Sequence, residues 1–233
     1  ASIYVAEGVV DMYKSSYQSS GYRDRVAIRK GRRLLSPKRG DTLSIQVLGG
    51  PVFPIQLDIA KNLDFFLNQE NLANYNFTML NPTVINDRLQ YVIDMQPMFT
   101  TSFPLMYGKL FIDQQTLAFT RAELQLDVRD WGKAADYMLV KKPLGVHFRP
   151  KELSVTIVYE TDAQGVTRMS YVRNEMRFNC DWKRRLFASS FTTVSEMVVT
   201  DRQFKGDEVK RPRGRNSFGI KDRFYTSRSE SVV

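Results

Sequence analysis

The stretch "YGKLFIDQQTLAFTRAELQLDV", residues 107–128, decides the fold class of this chain. Two runs of alternating character lie on either side of a polar turn, as in strands with one solvent-facing side, and the stretch therefore predicts an antiparallel β-hairpin. Asp113, where the first run ends, is expected to accept hydrogen bonds from turn amides rather than to act in catalysis. Arg121 and Glu123 are expected to form a surface ion pair on the second run.

Other parts of the chain carry the same strand signature. Runs with period-two alternation are separated by turns rich in Gly, Pro, Asn and Ser, which predicts about nine or ten strands joined mostly by short connections. Asn86 and Asp87 lie between two such runs and tolerate the backbone of a tight turn. The other predicted strands are Ile3–Lys14, Arg25–Leu35, Thr42–Leu48, Leu153–Glu160, Val166–Cys180 and Arg185–Thr200.

Helical periodicity is confined to short segments. Apolar residues after position 53 recur every three or four positions, which predicts one or two short amphipathic helices packed over one side of the sheet. A further short helix is predicted around Lys133–Leu139.

These patterns predict a mostly β fold, all-β or α+β: a curved, partly open antiparallel barrel or sheet wrapped over a few short helices. We assign residues 1–203 to a single domain of this kind. Residues 204–233, where apolar density falls and Pro, Gly and Arg increase, are predicted to be a basic, loosely structured tail.

Composition excludes some classes of protein. The 233 residues are 42% hydrophobic and 12% aromatic, which is ordinary for a globular core and unlike a disordered chain. No window approaches the roughly 18 apolar residues that a membrane-spanning helix needs. The lone cysteine, Cys180, excludes an internal disulfide and multi-cysteine zinc sites.

The sequence contains no recognisable catalytic constellation. His147 is the only histidine, and Cys180 lies at the end of an alternating run, where a buried structural thiol is expected. Phosphate-binding glycine loops, HExxH zinc motifs and EF-hand loops are absent. We therefore predict a protein that is not an enzyme and that uses neither a cofactor nor a metal ion.

The net charge of +9 is distributed unevenly. Residues 22–39 contain eight Lys and Arg against one Asp. A basic surface patch is predicted at Arg29, Lys30, Arg32 and Arg33, which could meet a protein partner or an acidic polymer. The alternative is an ordinary solvated strand face. Nucleic acid is a disfavoured partner because no RNA-binding signature accompanies the charge.

An apolar segment follows this basic strand and could line a ligand pocket with a cationic rim. An acyl chain held between sheet and helices is the ligand that it suggests, whereas the alternative is that these residues fill an ordinary core. The candidate apolar ligand-binding residues are Phe53, Ile55, Ile59, Phe65, Phe66 and Leu67.

The order of several motifs resembles a known class of protein. "VAEGVVDMYKSSY", "LGGPVFPIQLDIAKNLDFFL", "YGKLFIDQQTLAFTRAEL" and "RFNCDWKRRLF" resemble the region that follows the carboxypeptidase-regulatory-like domain in envelope proteins of Bacteroides-type bacteria. The resemblance covers roughly residues 1–203. It implies a segment of a longer secreted chain, located in the bacterial cell envelope, in the periplasm or on the outer-membrane side.

A second resemblance concerns the fold. The strand ending at Pro97, followed by "LFID", a short turn and another strand, is similar to the periplasmic lipoprotein carriers. That family implies an unclosed antiparallel barrel, helices over its open side, a hydrophobic cavity and no catalytic residues. The resulting hypotheses are a non-enzymatic envelope module that binds a hydrophobic ligand, or an interaction or structural module of a larger surface protein.

Overall fold

The computed structural model describes residues 4–15, 17, 24–35, 45–49, 53–61, 67, 69–182, 188–203 and 217–219. Within these ranges the chain forms twelve strands and three short helices. The strands are β1 (Tyr4–Tyr13), β2 (Arg25–Leu35), β3 (Gln46–Val47), β4 (Tyr75–Ile85), β5 (Arg88–Pro97), β6 (Met106–Asp113), β7 (Phe119–Leu126), β8 (Leu139–Lys141), β9 (Val146–Thr161), β10 (Thr167–Trp182), β11 (Ser189–Val198) and β12 (Ser217–Gly219). The helices are α1 (Phe53–Gln56), α2 (Gln69–Leu72) and α3 (Trp131–Met138).

One large antiparallel sheet dominates the fold. Its seven strands lie in the order β11-β10-β9-β7-β6-β5-β4, so that most neighbours in space are also neighbours in sequence. The two outermost strands, β4 and β11, do not pair with each other, and the sheet is open. The predicted mostly β, open antiparallel architecture is confirmed.

The hairpin of residues 107–128 forms β6 and β7 as predicted, with Lys109 opposite Glu123 and Leu110 opposite Ala122. The turn between β4 and β5 is also confirmed. Asn86 and Asp87 both adopt positive φ, 49° and 59°, which a two-residue hairpin turn of this kind requires.

Two smaller sheets accompany the large one. The strands β1, β2 and β12 form an antiparallel three-stranded sheet, and β3 pairs with β8. Ser217–Gly219, within the segment predicted to be a loose tail, is therefore a strand that pairs with β2. The expectation of loose structure does not hold for these three residues, because the β2 edge offers them backbone partners.

The core lies on one face of the large sheet. Leu110, Ala122, Leu124 and Ile157 alternate inward along three neighbouring strands and are almost fully buried. Helix α1 packs near β10 and β11, and α3 packs near β9. One contiguous cluster of buried apolar residues joins these helices to the large sheet and to β2 and β3.

Helix α3 matches the helix predicted around Lys133–Leu139. It begins at the N-cap Asp130, whose Oδ1 accepts a hydrogen bond from the Lys133 amide at 3.2 Å. The amphipathic segment after residue 53 forms α1 and α2, each a single turn.

The strand predicted over Leu153–Glu160 begins earlier, at Val146. Pro150 lies within this extension, although proline cannot donate to a sheet ladder. The structure accommodates Pro150 beside a register shift, where Arg177 pairs with Glu152 and the next residue, Phe178, pairs with Pro150. A β-bulge thus allows proline within a long strand.

Candidate ligand-binding groove

The face of the large sheet opposite the core carries a groove of about 450 Å³. Four neighbouring strands line it: β5, β6, β7 and β9. We call it the sheet groove. Its polar lining residues are Asp94, Gln96, Tyr107, Lys109, Glu123, Gln125, Ser154 and Thr156.

Strand register brings these residues together. Asp94 lies opposite Lys109, Lys109 opposite Glu123, and Glu123 opposite Thr156, which gives one row across four strands. Because adjacent strands are about 4.8 Å apart, this row extends over roughly 14 Å. In a parallel row, Tyr107 lies opposite Gln125, which lies opposite Ser154. The groove is therefore assembled from chain positions far apart in sequence.

Several of the lining side chains are oriented by their neighbours. The Tyr107 hydroxyl donates to Gln125 Oε1 at 2.8 Å, and Gln96 Nε2 donates to Asp94 Oδ1 at 3.2 Å. Glu123 Oε1 accepts from Arg121 Nε at 2.7 Å, which confirms the predicted surface ion pair. The groove thus combines oriented amide, phenol and carboxylate groups.

Lys109 is different because its side chain is exposed and forms no ion pair or hydrogen bond with another described residue. Its cross-strand neighbours, Asp94 and Glu123, are both acidic. The ammonium group can therefore donate to a ligand while the flanking carboxylates accept from the same ligand.

Gly108 is required beneath the groove. Its φ is +143°, and a Cβ atom built there would lie 2.0 Å from the carbonyl oxygen of Glu123. Only glycine permits this backbone conformation together with so close an approach of β6 to β7. The lining residues Leu124 and Val155 have buried side chains that point to the core. They therefore line the groove with their backbone atoms.

The structure also contains a buried polar cluster that the sequence did not reveal. Lys61 Nζ lies 2.8 Å from Asp24 and 3.1 Å from the Ser15 hydroxyl oxygen. Burial lowers the pKa of Lys61, against the opposing effect of Asp24. The Ser15 hydroxyl donates to Asp24 at 2.7 Å, and Lys61 forms an ion pair with the same carboxylate.

Asp58 forms the other half of the cluster. It is fully buried, forms an ion pair with Lys14 and accepts hydrogen bonds from the hydroxyls of Tyr17 (2.8 Å) and Tyr159 (3.0 Å). Burial and the nearby Asp58 carboxylate raise the pKa of both tyrosines. The only signal in the sequence was an Asp and a Lys three positions apart within an apolar segment.

Four of the six candidate apolar ligand-binding residues lie in the core. Phe53, Ile55, Ile59 and Leu67 are buried and belong to the main apolar cluster. Phe65 and Phe66 lie outside the described residues. The four described residues do not line the small apolar cavity of about 110 Å³, which is lined mainly by Tyr75, Phe103, Leu105, Met106 and Tyr137.

The predicted basic patch is partly neutralised. Arg29 forms an ion pair with Asp11, and Arg32 Nε donates to Glu7 Oε2 at 2.7 Å. Lys30 is exposed on the same strand. The side chain of Arg33 lies outside the described part of the structure.

The structure locates the remaining chemically notable residues. His147 is exposed on β9, opposite Asp181. Cys180 is fully buried, and burial raises the pKa of its thiol to about 11. Asp113 accepts hydrogen bonds from the amides of Gln115 and Thr116, which confirms its predicted role in the turn. Among the described residues, no group of three or more His, Cys, Asp or Glu is arranged to hold a metal ion.

Comparison with protein-family models, curated proteins and solved structures found no match to this chain. No helix within the described ranges has the length and apolar character needed to cross a membrane.

Proposed function

We propose that this chain is a non-enzymatic binding module of the bacterial cell envelope, and that its sheet groove binds a hydroxyl-rich ligand such as an oligosaccharide. The location rests on the resemblance of its motifs to Bacteroides-type envelope proteins. The binding role rests on one observation: Asp94, Lys109, Glu123 and Thr156 form a continuous row in an open groove of about 450 Å³. This volume is within the range of ligand sites.

The chemistry of the row favours a neutral ligand that both donates and accepts hydrogen bonds. A hydroxyl group can accept from Lys109 and donate to Asp94 or Glu123. The charges of Asp94 and Glu123 are balanced by Lys109 and by Arg121, which pairs with Glu123, so the row offers no excess charge to select an ionic ligand. Tyr107, held by Gln125, adds an aromatic ring to the lining of the groove.

An acyl chain has weaker support. The described candidate residues for such a ligand fill the core, and the apolar cavity of about 110 Å³ is smaller than the ~150 Å³ cavity known to hold benzene. We therefore favour the hypothesis that this chain is an interaction module. The sheet groove, rather than the basic strand, is its proposed binding surface.

Isothermal titration calorimetry tests this proposal by measuring the dissociation constants of the purified protein for a panel of neutral oligosaccharides. The panel includes cellohexaose and maltohexaose. Lys109→Ala and Asp94→Ala should each weaken binding by about tenfold or more, since each removes a hydrogen bond to a charged group. Thr192→Ala is the matched control, because Thr192 is exposed on β11, outside the groove.

Binding that survives both groove variants, or no binding to any sugar of the panel, would contradict the proposal. Native mass spectrometry of the same preparation tests the acyl-chain hypothesis separately, since a retained lipid would be detected as added mass.

A further inference from the structure

The strand β4 forms an open edge of the large sheet. It pairs with β5 on one side, and no described strand pairs with its other side. Asn76, Phe77, Thr78 and Met79 are all exposed, with Phe77 at 42% and Met79 at 60%. Because consecutive residues point to opposite faces of a strand, no described residue covers either face of β4 at these positions.

The unpaired backbone groups on this edge can be assigned to particular residues. The Met98 amide donates to the Asn74 carbonyl at 2.8 Å, just beyond the pair formed by Tyr75 and Pro97. Hydrogen-bonded pairs alternate along an antiparallel ladder, so Asn76 and Thr78 bond to β5. The amide and carbonyl groups of Phe77, between them, point away from β5.

The sequence of this edge offers little protection against pairing. The segment Tyr75–Leu80, "YNFTML", contains neither a charged residue nor Pro or Gly. Pro82 and the register shift between Leu80 and Thr83 limit pairing only beyond it. The opposite edge, β11, carries Glu196. Natural sheets usually protect exposed edges with charges, proline or bulges, and an uncharged apolar edge is a template for another strand.

We infer that β4 pairs with β4 of a second copy of this chain in a twofold-symmetric dimer. An antiparallel pairing with the axis at Thr78 sets Phe77 opposite Met79 of the partner subunit. The outward-facing backbone groups then bond to each other, and exposed apolar side chains of both copies pack together. No like charges meet, because the segment is neutral, so the edge is complementary to itself.

This inference goes beyond the proposed function and does not depend on it. The dimer would join two large sheets into one, and its axis would stand perpendicular to the sheet. Both sheet grooves would therefore open on the same side.

Sedimentation of the chain over about 1–200 µM should reveal a monomer–dimer equilibrium. Met79→Lys should raise the dissociation constant by at least about tenfold, because it adds a charge and removes an apolar contact at the edge. Val194→Lys is the matched control, since Val194 is 47% exposed on β11 at the other edge, and it should leave the equilibrium unchanged. Circular dichroism checks that both variants fold.

A cross-linking variant tests the register. Thr78→Cys places a thiol on the twofold axis, where opposite residues lie close enough for a disulfide between copies. Oxidation should give a covalent dimer, whereas Thr192→Cys on β11 should not, and Cys180 is buried in both variants.

Increasing salt should strengthen the dimer, because each copy carries a net charge of +9 and screening reduces their repulsion. A chain that stays monomeric throughout the concentration range would overturn the inference, as would a dimer unaffected by Met79→Lys. A monomer that instead retains an extended peptide, released by Met79→Lys, would assign the edge to a different occupant and would also overturn it.

Discussion

Lys61 and Asp24 form a buried ion pair, with Nζ 2.8 Å from Oδ2 and side chains that are 0% and 2% exposed. Asp24 immediately precedes β2, whereas Lys61 follows α1, so the pair ties the small β1–β2–β12 sheet to the helical segment that packs on the large sheet. The second pair, Lys14 with Asp58, makes the same connection from the end of β1.

Lys61→Met should lower the free energy of unfolding by about 3–5 kcal/mol, because it leaves the buried Asp24 without its counter-ion. Urea denaturation measures the change. Arg129→Ala is the matched control, since Arg129 forms an exposed ion pair with Asp127, and it should cost less than about 1 kcal/mol. Equal effects of the two substitutions would show that burial of the Lys61 pair has no special energetic role.

Asp113 should make stability depend on pH. Its side chain is almost fully buried, which raises its pKa, but hydrogen bonds from Thr116, Gln115 and Arg88 outweigh burial and lower the pKa below 3.8. At pH values between this lowered pKa and 3.8, the unfolded chain binds more protons at Asp113 than the folded chain does. The stabilisation is therefore present above pH 3.8 and is lost as the pH falls through the folded-state pKa.

Asp113→Asn should reduce stability by about 2 kcal/mol at neutral pH, and the difference from the unchanged protein should shrink in acid. Chemical denaturation at a series of pH values measures this. Asp136→Asn is the control, because Asp136 is exposed on α3 and should change stability by less than about 0.5 kcal/mol. If the stability difference between Asp113→Asn and the unchanged protein stays constant with pH, titration of the Asp113 carboxyl group is not its cause.

Gly108→Ala should be among the most damaging single substitutions in the large sheet. The added methyl group would lie 2.0 Å from a backbone oxygen at a positive φ, so we expect a loss of at least about 3 kcal/mol. Gly165→Ala separates the two causes, because Gly165 also has positive φ (+80°) but has open space around it. It should cost only about 1–2 kcal/mol. Similar losses measured by thermal unfolding would mean that β6 can move away from β7.

The Cys180 thiol should be unreactive in the folded protein. It is fully buried, and burial raises its pKa to about 11, so little thiolate is present at pH 8. A chromogenic disulfide reagent should react with the native chain at the rate of unfolding and react quickly once urea is added. Fast modification of the native chain would show that residue 180 is accessible.

Local features of the fold were predictable because neighbouring residues produce them. Alternation in residues 107–128 gave the β6–β7 hairpin, and Asp113 bonds the turn amides as its position suggested. Asn86 and Asp87 tolerate positive φ, which specified the turn between β4 and β5. The extension of β9 through Pro150 was missed, because a bulge depends on the partner strand.

The sequence by itself determined strand periodicity, turn positions and the mostly β class, since these depend on contacts within a few residues. The tertiary structure alone decided the sheet groove and the buried ion pairs. Asp94 and Thr156 share a row only through the registers of three successive strand pairs, and Lys61 meets Asp24 across 37 positions of the chain. Such contacts depend on long-range packing, which no periodicity within a single strand encodes.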